Sequence, residues 1–103
     1  MKLPWRKGEI PKTAKVISLD YYTKGTTWGI PVGIISGISD GEVTYLTDLY
    51  VAPGRRGKGI GTDLMKRFLA ATKGSTIVVT TGDAAEFYKK FGFKERTALI
   101  HKP

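Results

Sequence analysis

The sequence predicts a single α/β domain in which a mixed central β-sheet is flanked by helices. Three observations support this prediction. Short β-branched runs alternate with helical periodicity in the second half of the chain, an Asp-Gly pair separates two apolar runs, and a glycine-rich basic stretch joins a predicted strand to a predicted helix. Strand–helix–strand units in series favour an α/β sheet with a parallel pair at its centre.

The composition is typical of one small globular domain. The 103 residues are 41% hydrophobic and 25% charged, which leaves room for one core and one domain over residues 1–103. No apolar run approaches the roughly 18–20 residues that span a bilayer, and the N-terminus lacks the apolar stretch of a secretion signal. The absence of cysteine excludes disulfides, thiolate metal sites and a cysteine acyl intermediate. We therefore expect a cytoplasmic protein with no membrane partner and no metal.

The net charge of +8 is large for this length and is unevenly distributed. Residues 1–15 contain five basic residues and one acidic residue, and residues 54–73 contain six basic residues and one acidic residue. Such fields attract nucleic acid, phosphorylated cofactors or acidic protein surfaces. A solvated helix face explains the same charges equally well, so composition alone leaves the partner open.

The first half of the chain predicts an irregular basic arm over residues 1–12, followed by strands. A turn is predicted at Lys24–Thr26, and Asp40-Gly41 predicts a hairpin between two apolar runs. The predicted strands, in order, are Val16–Leu19, the fragment Thr27–Trp28, Val32–Ile38 and Val43–Ala52.

The second half predicts two helices and two strands. Ile60, Leu64 and Phe68 recur at four-residue steps, which indicates an amphipathic helix that stops at Lys73-Gly74. The run Thr76–Thr80 is short, β-branched and uninterrupted, as in a strand that is buried on both faces.

The second predicted helix begins with a variant capping box formed by Asp83 and Glu86. Its apolar side would contain Ala84, Phe87, Tyr88 and Phe91, and Gly92 would end it. A final strand is predicted over Phe93–Lys102.

The segment Gly54–Thr62 has the sequence GRRGKGIGT and lies between a predicted strand and a predicted helix. The first amides of a helix lack internal partners, glycines let a phosphate approach the backbone, and nearby cations complete an anion site. A P-loop would need Lys-Ser/Thr where Ile60-Gly61 stands, and both registers of G-x-G-x-x-G fail, at Thr62 and Leu64. The pattern favours another kind of phosphate loop over a connector with incidental charge.

Two segments resemble the signatures of the GNAT superfamily of N-acetyltransferases. Arg56-x-x-Gly59-x-Gly61 is similar to [Q/R]-x-x-G-x-[G/A], and the preceding Leu49–Pro53 resembles the strand that leads into it. The segment from Ala84 to Phe93 is similar to A-x-x-F-Y-x-x-x-G-F, with Phe91 one residue before the glycine. The combined match covers roughly residues 30–100, with the signatures in the family's order.

The resemblance implies a GNAT-like acyl-CoA N-acyltransferase fold that lacks most of the first two helices, because only Asp20–Thr26 is available for them. It implies acetyl-CoA as the acetyl donor. The pantetheine arm would pair with the strand that diverges from Thr76–Thr80. The donor-binding residues implied are Leu49, Tyr50 and Val51 for pantetheine, Arg56, Gly57, Gly59, Ile60 and Gly61 for the pyrophosphate, with Lys58 and Thr62 adjacent, and Thr81 where relatives often have asparagine.

For catalysis, Tyr88 matches the tyrosine that protonates the departing CoA thiolate, although its place on an apolar helix side also fits core packing. Asp48 is the one carboxylate within Val43–Ala52, next to the position where many relatives have glutamate and this chain has Thr47. Apolar neighbours would disfavour the charged carboxylate and make it a better proton acceptor. A structural role for Asp48, with solvent as the base, is the alternative. His101, the one histidine, is expected at the surface.

The resemblance implies direct transfer of acetyl to an amine in a ternary complex. The acceptor is expected to be large, a protein lysine or N-terminal amine, because the shortened helical region leaves the site open and the charge of +8 repels free polycations. A homodimer is a family-level expectation. An RNA-linked or small-molecule amine, a non-catalytic acetyl-CoA-binding module and a nucleic-acid-binding module are the alternatives.

Overall fold

The computed structural model describes residues 14–22 and 30–103, which form a four-stranded mixed sheet with helix α1 packed on one face. The strands are β1 (Lys15–Tyr21), β2 (Gly33–Ser39), β3 (Val43–Val51) and β4 (Thr76–Val79). A short 3₁₀ turn (Pro53–Arg55) follows β3, and the helices are α1 (Ile60–Ala71) and α2 (Ala85–Lys89). The sheet order is β1-β2-β3-β4, antiparallel except for the parallel pair β3–β4. The predicted α/β class is confirmed.

Three of the predicted segments fall in parts of the chain that the structure does not describe. The basic arm over residues 1–12, the turn at Lys24–Thr26 and the strand fragment at Thr27–Trp28 lie outside the described residues. Within the described parts of the chain, no helix is long and apolar enough to cross a membrane.

The hairpin between β2 and β3 forms where Asp40-Gly41 predicts it. The Asp40 carboxylate oxygen Oδ1 accepts hydrogen bonds from the backbone N–H groups of Glu42 (2.9 Å) and Val43 (2.8 Å). These bonds fix the turn, because aspartate can replace a backbone acceptor at a bend. The turn sets the register in which β2 and β3 pair.

Helix α1 packs its apolar side on the sheet and supplies the centre of the core. Its buried residues are Ile60, Leu64, Met65 and Phe68, as the four-residue spacing predicts. The close approach depends on Gly37 in β2, where an added Cβ would lie 2.8 Å from the Phe68 ring and 2.5 Å from the Tyr45 carbonyl oxygen. The helix ends at Ala71, and the hydroxyl of its C-cap residue Thr72 donates to the Phe68 carbonyl (2.8 Å), just before the predicted stop.

The predicted final strand over Phe93–Lys102 is wrong, because no strand forms in that segment. Leu99 and Ile100 are 99% and 71% exposed. The start of the segment is held beside α2 instead, since the Phe93 ring lies 5.5 Å from the Tyr88 ring and Glu95 pairs with Lys89 at 3.1 Å.

This absence changes the position of β4 in the sheet. With no described strand on its outer side, β4 is an edge strand, so the parallel pair lies at the edge of the sheet and not at its centre. The prediction that Thr76–Thr80 is buried on both faces is wrong for the same reason. Thr76 is exposed, and residues 77–79 are half-buried.

The predicted capping box is also wrong. Helix α2 begins at Ala85 with Ala84 as its N-cap residue, so Asp83 lies before the capping position and makes no capping bond. Thr81 acts here instead, because its hydroxyl oxygen accepts a hydrogen bond from the Ala84 N–H (3.1 Å). Glu86 forms an ion pair with Lys89 (3.2 Å), and the helix ends just before Gly92, close to the predicted end.

Candidate active site

The parallel strands β3 and β4 separate halfway along β3. They pair from Val43–Thr76 to Leu46–Val79, after which β4 ends and β3 continues to Val51. Thr47 is the extra residue of a β-bulge at this point, because Gly37 faces Leu46 while the preceding residue of β2 faces Asp48. A bulge bends its strand. The pairing of the two strands ends here, next to the bulge, and leaves the β4 side of the second half of β3 without a strand partner among the described residues.

The second half of β3 therefore has an open backbone edge toward the gap. The Ala52 N–H donates to the Val32 carbonyl (2.8 Å), on the β2 side. In a trans peptide the C=O points opposite to the N–H, so the Val51 carbonyl points into the gap. Because strand residues alternate, Leu49 and Val51 present backbone groups to the gap, whereas those of Tyr50 face β2. Two of the three residues predicted for pantetheine thus have the required orientation, and Tyr50 does not.

The loop after β3 exposes its backbone. Gly57 and Gly59 have φ values of 77° and 80°, a region that side-chain-bearing residues rarely adopt. A Cβ added at Gly54, Gly57 or Gly59 would meet no atom within 4 Å, and residues 53–59 are all exposed. A phosphate could therefore approach this backbone without steric obstruction.

The start of α1 adds amide donors to this loop. Gly59 is the N-cap residue, and its carbonyl accepts the first helical hydrogen bond from the Asp63 N–H (3.0 Å). The amides of Ile60, Gly61 and Thr62 precede that bond, so they have no partner within the helix. The side chains of Arg55, Arg56 and Lys58 are exposed beside them. Amides, helix dipole and cations together form a site suited to an anion such as pyrophosphate.

The Arg56 side chain connects the loop to the open edge of β3. Its Nε donates to the Val51 carbonyl oxygen at 2.9 Å. Its guanidinium carbon lies 5.9 Å from the centre of the Tyr50 ring. The family resemblance implied that Arg56 contacts the pyrophosphate and no more, so this side-chain contact with β3 is an addition from the structure.

Three segments meet at Gly61. A Cβ built on Gly61 would lie 3.7 Å from the Phe87 ring and 3.9 Å from the Val51 side chain. The end of β3, the start of α1 and helix α2 are therefore in contact at this residue. Tyr88 is the next residue of α2, so the helix that bears the predicted proton donor touches the predicted phosphate loop and the end of the predicted pantetheine edge.

The Tyr88 ring is part of the core, but its hydroxyl is accessible. The residue is 8% exposed, and its ring lies 5.4 Å from that of Phe87. Burial raises the pKa of Tyr88 above its ordinary value of 10.0, because a phenolate loses solvation there. Among the described residues the hydroxyl makes no hydrogen bond, and no described side-chain polar atom is both sealed from solvent and without a partner. Tyr88 can therefore offer a proton from a phenol that remains neutral.

The predicted apolar environment of Asp48 is wrong. Its side chain is exposed, because the bulge turns residue 48 to the sheet face away from α1. The Ser36 hydroxyl donates to Asp48 Oδ2 (3.1 Å) and lies 3.1 Å from the Thr47 hydroxyl. Sequence reasoning missed Ser36: counting back from the Asp40-Gly41 turn places it opposite Thr47, and its position opposite Asp48 depends on the bulge.

The remaining predicted residues lie near the site with distinct roles. Thr62 is half-buried in the first turn of α1, and Lys58 is exposed in the loop. Thr81 is exposed but uses its hydroxyl oxygen at the start of α2, as described above. His101 is exposed in the C-terminal segment, as expected. Within the described residues, no group of three or more acidic or histidine side chains could hold a metal ion.

Comparison with known families agrees with this arrangement. Residues 21–95 match the acetyltransferase (GNAT) domain family. Because this match includes well over half of the chain, with both signature segments, the chain belongs to the GNAT acetyltransferase family.

Individual relatives are longer than this chain. An uncharacterized N-acetyltransferase of Methanocaldococcus jannaschii is 38% identical over 85 residues, which cover 69% of this chain and 38% of that protein. A crystal structure from Xanthomonas campestris, described as an acetyltransferase of the GNAT family, is 25% identical with a TM-score of 0.72, covering 85% of this chain and 64% of that one. The fold also matches an acetyltransferase from Bacillus cereus, with 23% identity, a TM-score of 0.73 and coverages of 89% and 67%. The chain thus spans less than two thirds of the first two relatives.

Proposed function

We propose that this protein transfers an acetyl group from acetyl-CoA to an amine. The observation that carries this proposal is the meeting of three parts at Gly61: an open strand edge, a glycine-rich helix start and the helix that bears Tyr88. These three parts can accommodate an extended chain with amide groups, a diphosphate and a thiolate leaving group, respectively. Acetyl-CoA contains all three, with the amide-bearing pantetheine arm between the diphosphate and the thioester.

The donor site is proposed as follows. The pyrophosphate accepts hydrogen bonds from backbone amides between Arg56 and Gly61, with Lys58 and Thr62 beside them. The pantetheine arm pairs with the backbone of Leu49 and with the N–H of Val51, which face the gap, while the Val51 carbonyl is held by Arg56. Support for this assignment comes from the unpaired amides at the start of α1 and from the end of β4 at Val79. An unpaired strand edge is costly unless water or a ligand satisfies it.

The proposed chemistry is direct attack of the amine on the thioester. A C–N bond forms, the C–S bond breaks, and the thiolate takes a proton from the Tyr88 hydroxyl. The raised pKa of Tyr88 makes complete proton transfer uphill, because a thiol has a lower ordinary pKa of about 8.5. The benefit therefore comes from a hydrogen bond that strengthens as charge develops on sulfur. The ammonium proton leaves to Asp48 or to solvent, two alternatives that an Asp48 variant separates.

We propose a protein lysine or N-terminal amine as the acceptor. The connection between β1 and β2 comprises residues 22–32, too few for two helices that would cover the acceptor side. Ser36, Thr47 and Asp48 form a polar cluster on the sheet face opposite α1, two of them exposed. A large acceptor can reach such a site. Rapid acetylation of spermidine at low salt would contradict this part of the proposal.

The experiment that tests the activity combines binding and turnover. Calorimetric titration with acetyl-CoA should show a single site, and the Tyr88→Phe variant should keep that affinity while turnover falls roughly 10²-fold or more. Tyr21→Phe is the matched control, because Tyr21 lies in β1 beside Arg67 of α1, with β2 and β3 between it and the gap, and should leave turnover unchanged. Absence of acetyl-CoA binding would reject the proposal. Binding with equal turnover in both variants would reject Tyr88 as the proton donor.

The acceptor can be identified by mapping acetylation. Proteomes from cells with and without the protein should differ at lysines or N-termini, and recombinant protein should modify the same sites in vitro. A stable acetyl-enzyme in mass spectra without acceptor would contradict direct transfer.

A further inference from the structure

We propose that the Arg56 side chain is a positioning residue that fixes the spacing between the two halves of the donor site. This inference rests on the proposed function. One half is the gap beside β3, where pantetheine would pair, and the other is the glycine-rich loop, where the pyrophosphate would bind. The Arg56 guanidinium spans them, because it belongs to the loop and donates from Nε to the Val51 carbonyl at 2.9 Å.

The loop has few other connections to β3. One backbone hydrogen bond links them, from the Arg55 N–H to the Ala52 carbonyl (2.8 Å). Within the described residues, Arg56 supplies the only side-chain hydrogen bond between residues 53–59 and β3. Gly54, Gly57 and Gly59 make this segment conformationally permissive. Without the guanidinium, the loop could still bind a pyrophosphate, but at a variable distance from β3, and fixing that distance would cost entropy only for a ligand that spans both halves of the site.

The hydrogen bond from Arg56 to the Val51 carbonyl lies where it can fix the distance between the open edge of β3 and the glycine-rich loop. The Val51 carbonyl points into the gap, so the guanidinium lies at the end of the open strand edge, beyond Leu49. The Tyr50 ring lies below it, 5.9 Å from the guanidinium carbon, and restricts its orientation. The structure thus indicates a fixed relation between the last gap-facing carbonyl and the first residues of the loop.

Arginine suits this role because it has several donors in one rigid plane. Nε binds the carbonyl, and the terminal nitrogens remain available to solvent or ligand. Glutamine keeps an N–H donor but no charge, whereas lysine keeps the charge on a single nitrogen without the planar geometry. Comparing the glutamine and lysine variants therefore separates a positioning role of the Arg56 side chain from direct attraction between its charge and a phosphate.

The test compares Arg56→Ala, Arg56→Gln and Arg56→Lys with the parent protein, using acetyl-CoA and ADP as separate ligands. ADP carries the pyrophosphate but not the pantetheine, so it occupies only one half of the site. Arg56→Ala should raise the Kd and KM for acetyl-CoA by about tenfold, the effect of one lost charge-assisted hydrogen bond, with kcat at saturation within about twofold. The inhibition constant of ADP should change by less than about twofold. Arg56→Gln should restore most of the affinity, and Arg56→Lys should not.

The matched control is Lys73→Ala, which removes the same charge beyond the far end of α1 and should change neither ligand's affinity. Thermal unfolding of each variant verifies that it is folded. Equal weakening of ADP and acetyl-CoA, or rescue by lysine but not by glutamine, would overturn the inference in favour of a direct phosphate contact. Unchanged or tighter acetyl-CoA binding by Arg56→Ala would also overturn it. If the parent protein fails to bind acetyl-CoA, the proposed function itself fails.

Discussion

Tyr88 has a ring packed in the core and a hydroxyl open to the site, two features that the sequence pattern presents as alternatives. Its ring packs between Phe87 and Phe93, and its hydroxyl is not sealed in the core. Helical spacing predicted the apolar environment, and the family signature supplied the candidate chemistry. Neither could show that one residue satisfies both, because that depends on how the end of α2 meets the C-terminal segment.

The raised pKa of Tyr88 predicts a pH-dependent stability. A phenol whose folded-state pKa exceeds its unfolded value contributes stability below the unfolded pKa of about 10, and this contribution is lost as pH rises through the folded-state value. The free energy of unfolding of the parent should therefore fall more between about pH 8 and about pH 11 than that of Tyr88→Phe. Urea unfolding measures the difference. Parallel pH profiles would show that burial does not perturb this phenol.

Asp48 illustrates where residue-level sequence reasoning failed. Its apolar sequence neighbours suggested burial, but the bulge at Thr47 turns it to the exposed face. Bulges depend on the pairing of two strands and leave little trace in one strand's pattern. The adjacent Ser36 was missed for the same reason.

The proton-accepting role of Asp48 has a direct test. If the carboxylate takes the amine proton, Asp48→Asn should lower kcat/KM at neutral pH by about tenfold or more. The loss should shrink at high pH, where the amine is already deprotonated in solution. Asp63→Asn is the control, because Asp63 is paired with Arg67 on the exposed side of α1. Equal activity of Asp48→Asn and the parent at all pH values would assign the base to solvent.

At the scale of elements, the predictions were correct where the structure depends on residues close together in the sequence. The Asp40-Gly41 turn and the periodicity of α1 are determined by neighbouring residues, and both formed as predicted. Segments whose structure depends on partners elsewhere were less predictable. β4 became an edge strand, and Phe93–Lys102 formed no strand, because the pairing of short segments is decided by the rest of the fold.

The bulge at Thr47 is predicted to keep the donor site open. Deleting Thr47 leaves Leu46 opposite Gly37 and Asp48 opposite Ser36, so the sheet faces are preserved while the bend is removed. We expect a folded protein that binds acetyl-CoA at least about tenfold more weakly, since the gap between β3 and β4 narrows. Circular dichroism tests whether the variant is folded, and calorimetry measures its affinity for acetyl-CoA. Unchanged affinity in the folded deletion variant would contradict a role for the bulge.

The packing of α1 on β2 gives a stability prediction. Gly37→Ala would place a Cβ 2.5 Å from a backbone oxygen that cannot move independently, so we expect a loss of about 2–3 kcal/mol in the free energy of unfolding. Gly82→Ala is the control, because a Cβ there meets no atom within 4 Å, and it should change stability by less than about 0.5 kcal/mol. Chemical denaturation compares the two. Equal stability would show that the Tyr45 carbonyl in β3 and the Phe68 ring in α1 can both move away at little cost.

At the scale of the whole molecule, charge and topology contribute differently. The positive charge of residues 54–73 is compatible with several polyanions. The partnerless backbone amides at the start of α1 favour a phosphate group among them. The order of elements and the two signatures were sufficient to predict the family. They do not specify the acceptor.

The most direct test of the donor site follows individual backbone amides by NMR during titration with acetyl-CoA. The account predicts the largest shifts at the amides of Gly57 to Thr62, with further changes at Leu49 and Val51, whose backbone groups face the gap. The amides of Thr44 and Ile38, in the paired part of the sheet, should change little. Saturation of the protein without shifts in the loop, or with the largest shifts elsewhere in the sheet, would contradict the proposed placement of the coenzyme.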